Sequence, residues 1–296
     1  MTDISIIIPS KNSGKTIRQC LDGIYQQTTA LDFEVIVIDS GSKDDSLAII
    51  KSFSRVKCFQ IKPEEFGHGK TRNLGAEKAK GKFLVFLNAD AMPENNQWLN
   101  QLIQPFTENH QIAGVFSRHL PQKGCHLFMV RDLLKAMPDE SAIRPEAGLT
   151  NLTYFSTVSG AIKKEIWQKI PFENDILIAE DQKWAMEVRQ KDYQVVYQPS
   201  SRVIHSHNYG LKELFEIKRQ VGIAYSPFQN RFYAAVLGFG LVLAGLVIKI
   251  SSDVIFILFK QAITTSLGGK TKEIKLSILF RVFSFWGKYL GWIGKY

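Results

Sequence analysis

Cysteine is scarce in this chain, and its few copies lie far apart. The three residues, Cys20, Cys58 and Cys125, form no CxxC pair, which argues against a disulfide framework and against a structural zinc site. The start MTDISIIIPS has no basic segment before its short apolar run, so it does not predict a signal peptide. Internal repeats and low-complexity tracts are also missing. We therefore expect a reduced, cytosolic chain.

Acidic residues are scarce in one part of the chain only. Residues 1–209 carry 25 Lys and Arg against 24 Asp and Glu, whereas residues 210–296 carry 12 against 4. A basic tail of this kind indicates a polyanionic partner, either nucleic acid or an anionic membrane face. The basic residues of the tail alternate with long apolar stretches, which favours the membrane.

The first ninety residues alternate between strand-like and helix-like patterns. Continuous apolar runs at 5–9, 34–39 and 82–87, with a weaker run at 56–61, predict buried strands. Amphipathic segments between them predict helices over 13–27, 44–53 and 71–80. The middle region adds a helix over 181–190 and the strand YQVVYQP. Strands and helices in this order predict a doubly wound α/β fold with a parallel sheet.

Polar residues follow the predicted strands at their carboxyl ends, where open α/β sheets bind ligands. The first strand ends in Pro9-Ser10-Lys11-Asn12, the second in Asp39-Ser40-Gly41-Ser42 and the last in Asn88-Ala89-Asp90. Two carboxylates, Asp39 and Asp90, should thus reach one crevice from separate strands. Each alone is equally explained as a loop or helix-capping residue.

An ordered set of motifs resembles the family 2 glycosyltransferases. The motifs are SIIIPSKNSGKT, EVIVIDSGSKDDS, FGHGKTRNLG, GKFLVFLNADAMP, VSGAIKKEIW, AEDQKW and VIHSHNYG, and together they cover about residues 3–225. FGHG followed by TRN, and HSH after the last strand, most resemble the bacterial rhamnosyltransferase branch. The resemblance implies a GT-A fold, that is, a mostly parallel Rossmann-like sheet with helices on both faces.

The domain organisation expected from this resemblance has two parts. A catalytic domain spans 1–225, with a nucleotide-binding half at 1–93 and an acceptor half at 94–225. A helical, membrane-associated appendage follows at 226–296.

The resemblance also implies a site for a nucleotide diphosphate sugar. Asp39 would accept a hydrogen bond from the imide of uracil or thymine, Pro9 would wall the base, and Asp90 would hold Mg²⁺ or Mn²⁺ at the phosphates. Asn88 departs from the usual Asp-x-Asp, which removes one anionic contribution to the metal. The nucleotide-sugar residues implied are Pro9, Ser10, Asn12, Asp39, Ser42, His68, Arg72, Asn88, Ala89 and Asp90.

The segment FGHGKTRNLG is not a phosphate-binding P-loop, because that pattern requires glycine at the position of Glu64. It reads instead as a loop that enters a helix, with Arg72 in the first turn. Free N–H groups and a guanidinium suit a diphosphate, and His68 is a further candidate for it. A solvated basic face is the alternative.

Glu180 and Asp181 begin the predicted helix at 181–190, where acidic residues are common. In the resembling family the aspartate of this pair is the general base, which implies that Asp181 takes the proton of the acceptor hydroxyl. Glu180 would orient the acceptor or a neighbouring side chain, and Trp184 would contact the acceptor. His205 and His207 lie two apart at a strand end and point to one face, so both are candidate ligands of a metal or phosphate.

The tail allows several interpretations. Phe232–Ile248 is uncharged over 17 residues, about 26 Å as a helix and just short of the hydrocarbon core of a bilayer. It could be a thin span, a re-entrant hairpin with Val254–Phe259, or a helix packed on protein. Both flanks are basic, which argues against a single span. We expect peripheral attachment to the cytoplasmic face of the inner membrane, helped by the aromatic and basic segment at 275–296.

These observations predict an inverting transfer of a sugar, rhamnose before others, to a hydroxyl of a lipid-linked or growing saccharide in cell-surface polysaccharide synthesis. The expected donor is dTDP-rhamnose first and a UDP-sugar second. Two alternatives remain open. One is a polyprenyl-phosphate glycosyltransferase, whose phosphate acceptor needs no strong base. The other is a catalytically silent nucleotide-sugar-binding subunit, which Asn88 suggests.

Overall fold

A computed structural model of the chain describes residues 2–140, 142–143, 146–147, 152–225, 238–259 and 267–293. The first ninety residues form the expected alternation of strands and helices. The elements are β1 (Ile4–Ser10), α1 (Ile17–Tyr25), β2 (Phe33–Asp39), α2 (Ser46–Lys51), β3 (Val56–Gln60), α3 (His68–Lys78) and β4 (Phe83–Leu87). β1 pairs in parallel with β2 and β4, and β2 with β3. Ile6 and Ile7 point to opposite faces of β1 and are both fully buried, so both faces of this sheet are covered.

The remainder of the sheet is mixed rather than parallel. The elements of this part of the chain are β5 (Met92–Pro93), α4 (Trp98–Ile103), α5 (Pro105–Glu108), β6 (Ile112–Leu120), α6 (Leu127–Ala136), β7 (Ala142–Ile143), β8 (Glu146–Ala147), β9 (Leu152–Thr153), β10 (Ser159–Lys163), α7 (Lys164–Lys169), α8 (Glu180–Arg189) and β11 (Gln194–Ile204). Strands β8 and β9 pair with each other in a separate two-stranded sheet. The strand order is β3-β2-β1-β4-β10-β6-β11-β5, with β7 beside β11. β10 runs antiparallel to β4, because the chain re-enters the sheet where β4 ends, with Ser159 opposite Leu87.

Three helices complete the described chain: α9 (Leu211–Tyr225), α10 (Gly238–Phe259) and α11 (Leu267–Ile293). Of the three alternatives considered for the tail, the hairpin between Phe232–Ile248 and Val254–Phe259 does not fit, because 238–248 and 254–259 lie in the single helix α10. Residues 232–237 lie outside the described residues. Within the described ranges, no helix combines the length and apolarity that a membrane span needs.

The chain divides into two compact units. The first unit comprises Met1–Leu120 and Met137–His205, and the second comprises Pro121–Ala136 and Ser206–Tyr296. Helices α6 and α9 therefore belong with α10 and α11 in their packing. The sequence predicts a boundary at residue 225 between a catalytic domain and an appendage. The two packed units divide the chain elsewhere, so that boundary stays a prediction about function.

Glycines let α9 and α11 meet at backbone distance within the second unit. A Cβ placed on Gly222 would lie 2.3 Å from the carbonyl oxygen of Lys288, and one on Gly291 would lie 2.2 Å from that of Arg219. Only glycine fits so close a helix contact. Phe128, Leu214 and Phe280 form a buried apolar cluster beside this contact, which joins α6 to the same bundle.

Candidate functional site

The strand end at Asp39 is a tightly bonded turn. The Asp39 Oδ2 atom accepts hydrogen bonds from the backbone N–H groups of Gly41 (3.1 Å) and Ser42 (3.0 Å), and Oδ1 accepts one from the Ser42 hydroxyl at 2.5 Å. Asp39 is fully buried. The contact between Asp39 and a pyrimidine base stays a prediction.

The first strand end is tied to the same turn. The backbone N–H of Asn12 donates to the Ser42 hydroxyl at 2.8 Å, and the Asn12 side chain accepts from the N–H of Lys43 at 2.9 Å. Ser10 is 3% exposed, and among the described residues its hydroxyl has no hydrogen-bond partner. Pro9 precedes it in β1, half-buried. The strand end thus offers one unused polar group beside the loop at 40–43.

Arg72 joins two of the predicted motifs instead of facing solvent. Its Nη1 atom lies 2.9 Å from the Glu180 carboxylate, and its Nη2 atom donates to the Asn88 side chain at 3.0 Å. Helix α3 begins at His68, three residues earlier than predicted, so Arg72 lies in the second turn and is 4% exposed. The predicted place of Arg72 in the first turn is therefore wrong, whereas its contact with the diphosphate stays a prediction. Its guanidinium holds Asn88 and Glu180 in place.

His68 begins α3 and is uncharged at neutral pH. Burial, together with the positive charge of Arg72, lowers the pKa of His68 to about 4. A neutral imidazole can donate a hydrogen bond to a phosphate but brings no positive charge. Ala89, between Asn88 and Asp90, is 6% exposed and packs in the core of the first unit.

Asp181 is the titratable group whose position best suits proton transfer. Its Oδ2 atom accepts hydrogen bonds from the backbone N–H (3.0 Å) and hydroxyl (3.2 Å) of Thr157, which fixes the carboxylate. Burial and the neighbouring Glu180 carboxylate raise the pKa of Asp181 to about 6. Such a group is mostly ionised at pH 7 yet basic enough to accept a proton, as a general base must be.

The backbone just before this pair is held in an unusual conformation. Ala179 has φ 71°, the left-handed region that non-glycine residues rarely adopt. Backbone strain of this kind concentrates at functional sites. Here it directs Glu180 into the core, where its side chain is paired with Arg72, and leaves Asp181 on Thr157.

The two residues predicted at the acceptor lie in the interior. Trp184 is 1% exposed, donates to the carbonyl oxygen of Ile170 at 2.9 Å and packs against Phe155 and Phe172. The contact of Trp184 with the acceptor stays a prediction. Glu180 is 3% exposed and orients Arg72, which matches the second of the two roles considered for it, the orientation of a neighbouring side chain.

A group of possible metal ligands lies at the end of β11. The Asp90 carboxylate and the His205 Nε2 atom are 3.4 Å apart. His207 follows two residues along the chain, and one ligand atom from each of these three residues lies within 4.8 Å of the others. One carboxylate and two imidazoles form a donor set that suits a divalent cation such as Mn²⁺. The ligand set predicted from the sequence is thus brought together.

Two neighbours of the site were not foreseen. Thr157, which holds Asp181, immediately precedes the VSGAIKKEIW motif and carries no signal of its own. His119 in β6 is 5% exposed, and its ring meets that of His205 edge-on at 5.7 Å. Burial and the nearby His205 lower the pKa of His119 to about 3. A single histidine in an apolar strand resembles any core residue, so the sequence could not show this contact.

Comparison with known proteins agrees with this geometry. The model of the glycosyl transferase family 2 matches residues 5–168. The O-antigen chain rhamnosyltransferase RfbN of Salmonella typhimurium is 31% identical over 80% of this chain and 77% of its own length. The O-antigen chain rhamnosyltransferase WbaN of Salmonella anatum is 27% identical over 81% of this chain and 78% of its own length.

Solved structures share the fold. The mannosyltransferase PcManGT from Pyrobaculum calidifontis, in complex with GDP-Man and Mn²⁺, aligns with a TM-score of 0.65 at 15% identity, covering 99% of this chain and 88% of its own. The S. aureus TarS fragment 1–349 in complex with UDP-GlcNAc aligns with a TM-score of 0.57 at 18% identity, covering 98% and 90%. These likenesses show the GT-A architecture that the sequence predicted.

Proposed function

Because the chain belongs to glycosyl transferase family 2 and is a glycosyltransferase, we propose that it transfers a sugar from a nucleotide diphosphate donor to a hydroxyl group of a lipid-linked or growing saccharide. The product would enter cell-surface polysaccharide synthesis. The observation that carries this proposal is Asp181, whose carboxylate is fixed by Thr157 and has a pKa of about 6.

Asp181 acts as the general base of this transfer. It takes the proton of the acceptor hydroxyl as the hydroxyl oxygen attacks the anomeric carbon and the nucleoside diphosphate leaves. A single displacement inverts the configuration at that carbon. Glu180 and Arg72 position the turn that presents Asp181, and burial together with the Glu180 carboxylate raises the pKa of Asp181, which suits a general base.

Asp90, His205 and His207 would hold the divalent cation, Mg²⁺ or Mn²⁺. When bound, the cation stabilises the negative charge that grows on the departing diphosphate. The two imidazoles favour Mn²⁺ over Mg²⁺, since Mg²⁺ prefers oxygen ligands. The Asn88 side chain, which the resemblance places among the nucleotide-sugar residues, accepts a hydrogen bond from Arg72, and this bond keeps Asn88-Ala89-Asp90 in position.

Rhamnose is the proposed sugar, and the proposed donor is dTDP-rhamnose first and a UDP-sugar second. The names of the relatives RfbN and WbaN support rhamnose, and the pyrimidine rests on Asp39. A thermal-shift screen of nucleotide sugars tests both assignments. We expect the largest stabilisation with dTDP-rhamnose in the presence of Mn²⁺. Stabilisation by purine but not by pyrimidine nucleotides would contradict the role given to Asp39.

The proposed place of action is the cytoplasmic face of the inner membrane, with peripheral attachment through residues 226–296. The excess of Lys and Arg in the tail supports it. So do the exposed apolar side chains of α10 and α11, among them Ile248 at 68% and Leu279 at 45%. A lipid-linked acceptor is confined to a membrane surface while the soluble donor arrives from the cytosol.

The decisive experiment is Asp181→Asn assayed with donor and saccharide acceptor. We expect kcat to fall by about 10²–10⁴, since that is the usual contribution of a general base, with little change in donor affinity. Asp22→Asn, an exposed aspartate on α1, is the matched control and should keep full activity. A loss of only a few-fold would favour a phosphate acceptor, and donor binding without turnover at any metal would favour the silent subunit.

A further inference from the structure

Five basic side chains gather among the helices of the second unit, and we call them the cationic cluster: Arg131, Lys218, Lys249, Arg281 and Lys288. At its centre Asp253 is fully buried. The Asp253 carboxylate accepts from Arg281 at 2.8 and 3.0 Å and from the Ser277 hydroxyl at 2.5 Å, and it pairs with Arg131 at 2.7 Å. Arg281 also pairs with Asp132. This network fixes the two guanidinium groups.

The three lysines converge on this centre from different helices. Lys249 precedes Asp253 by one helical turn on α10, so both lie on one side of that helix. Lys288 follows Arg281 by two turns on α11. The Cβ of Lys218 on α9 lies 3.2 Å from where a Cβ of Gly287 would be, next to Lys288. Burial and Lys249 lower the pKa of Lys218, and burial and Lys218 lower that of Lys288, as expected for like charges held together.

The cluster holds more positive charge than its acids balance. Among the described residues, Asp132 and Asp253 are the acids paired with the cluster, and Arg131 and Arg281 are the basic residues that they pair with. Within the same ranges Lys218 and Lys249 form no ion pair, and the Nε and Nη1 atoms of Arg131 are buried without a hydrogen-bond partner. Buried donors without partners are costly, and the two lysines add positive charge that no acid matches, so this arrangement suits an anion with several acceptor oxygens.

Apolar side chains border the lysines on the exposed side. Val247 and Ile248, directly before Lys249, are 58% and 68% exposed, and Trp286, two residues before Lys288, is 42% exposed. A soluble anion would gain nothing from these groups. A phosphate that carries an apolar chain would use both, with its oxygens on the lysines and its chain along α10 and α11.

We propose that the cationic cluster is a binding site for the phosphate headgroup of a membrane lipid. The inference rests on the proposed membrane attachment and gives it a defined site. Two lipids share the chemistry: the bulk anionic phospholipid of the membrane, and a polyprenyl diphosphate that carries the saccharide acceptor. Phosphate oxygens accept charge-assisted hydrogen bonds from Lys218, from Lys249 and from the Nε and Nη1 atoms of Arg131. Among the described residues, these donors have no acidic partner, whereas the Nη2 atom of Arg131 is paired with Asp253.

The test compares two double variants of the full chain that remove the same charge. Lys218→Gln with Lys249→Gln removes two lysines of the cluster. Lys212→Gln with Lys275→Gln removes two exposed lysines of α9 and α11. Binding is measured by co-sedimentation with phosphatidylcholine vesicles that carry either phosphatidylglycerol or a polyprenyl diphosphate. We expect the cluster variant to lose roughly tenfold more affinity than the control, whose loss reflects diffuse attraction, about fivefold per lysine.

Each result decides a different claim. Equal losses in the two double variants would overturn the site while leaving membrane attachment intact. Absence of vesicle binding by the unaltered chain would overturn attachment, and the site with it. Selective loss on the polyprenyl diphosphate vesicles would assign the site to the acceptor lipid, and loss on both kinds to any lipid phosphate. Stabilisation by inorganic pyrophosphate without vesicle binding would overturn the lipid.

Thermal melting serves as the control for folding. Lys218 and Lys249 repel each other, so the cluster variant should melt at the same temperature as the unaltered chain or higher. If it melts lower, the single variant Lys249→Gln, at an exposed position, replaces it in the same comparison.

Discussion

The two units of the molecule each contain a buried ion network, and the networks differ in the sign of their unmatched charge. In the first unit Arg72 faces Glu180 while Asp181 adds a second carboxylate. In the second unit Arg281 and Arg131 face Asp253 while lysines add positive charge. In both networks an ion pair fixes the geometry, and a neighbouring group has a shifted pKa that favours its neutral form. The pKa of Asp181 is raised in the first network, and the pKa of Lys218 is lowered in the second. The group with the shifted pKa is the one available for chemistry or binding.

Breaking the first network should have the largest effect. Arg72→Met leaves Glu180 buried without its partner, and the loss of one member of a buried pair costs about 3–5 kcal/mol. We expect that decrease in the free energy of unfolding, measured by urea denaturation. The control Lys183→Met removes a lysine whose pairs with Glu173 and Glu187 are partly exposed, and it should cost below about 1 kcal/mol. Similar costs for both variants would contradict the buried role of Arg72.

Asp90 is a further carboxylate of the first unit, and we expect a divalent cation to neutralise its negative charge. His207→Ala removes one of three ligands, and we expect the dissociation constant for Mn²⁺ to rise at least about tenfold, the loss typical of even an outer partner of a metal. Electron paramagnetic resonance of free Mn²⁺ measures this without substrate. His110→Ala, at an exposed position, should bind Mn²⁺ as the unaltered chain does, and equal affinity in His207→Ala would remove His207 from the ligand set.

The pH dependence of the transfer tests the raised pKa of Asp181 directly. Asp181 must be ionised to accept a proton, so kcat/KM should be constant above its pKa of about 6 and should fall by about tenfold per pH unit below it. Glu180→Gln removes the neighbouring negative charge and should move this acidic limb to lower pH. A limb that stays in place would show that Glu180 does not tune Asp181.

The smallest expected effect concerns the backbone at Ala179, directly before the two carboxylates Glu180 and Asp181. Ala179→Gly relieves a left-handed conformation that costs about 1–2 kcal/mol but adds freedom to the unfolded chain. We expect a net gain below about 1 kcal/mol in the free energy of unfolding. Ala48→Gly, in the regular helix α2, should instead lose stability, by about 0.5–1 kcal/mol. A loss in Ala179→Gly would mean that its strain is small.

The sequence predicted the elements of the first unit well because their signals are local. Continuous apolar runs marked β1, β2 and β4, and the residues that follow them carried the family resemblance. The burial of polar side chains depends on contacts between segments that are distant in the chain, so local patterns did not predict it. Arg72 and Trp184 were expected at a ligand but lie in the interior, because helix α3 starts three residues early and α8 turns its tryptophan toward Phe155. His119 and Thr157 reach the site from segments whose patterns carry no sign of it.

The interleaving of the two units along the chain has a consequence for biosynthesis. On α6, Arg131 pairs with Asp253 and Phe128 packs on Phe280. Helix α6 emerges from the ribosome more than a hundred residues before these two partners. At usual elongation rates that delay is on the order of 10 s. During it the α6 side chains have no native cover. A fragment that stops at residue 225, the natural choice for isolating the catalytic part, would keep α6 and α9 permanently in that state and would be prone to aggregate.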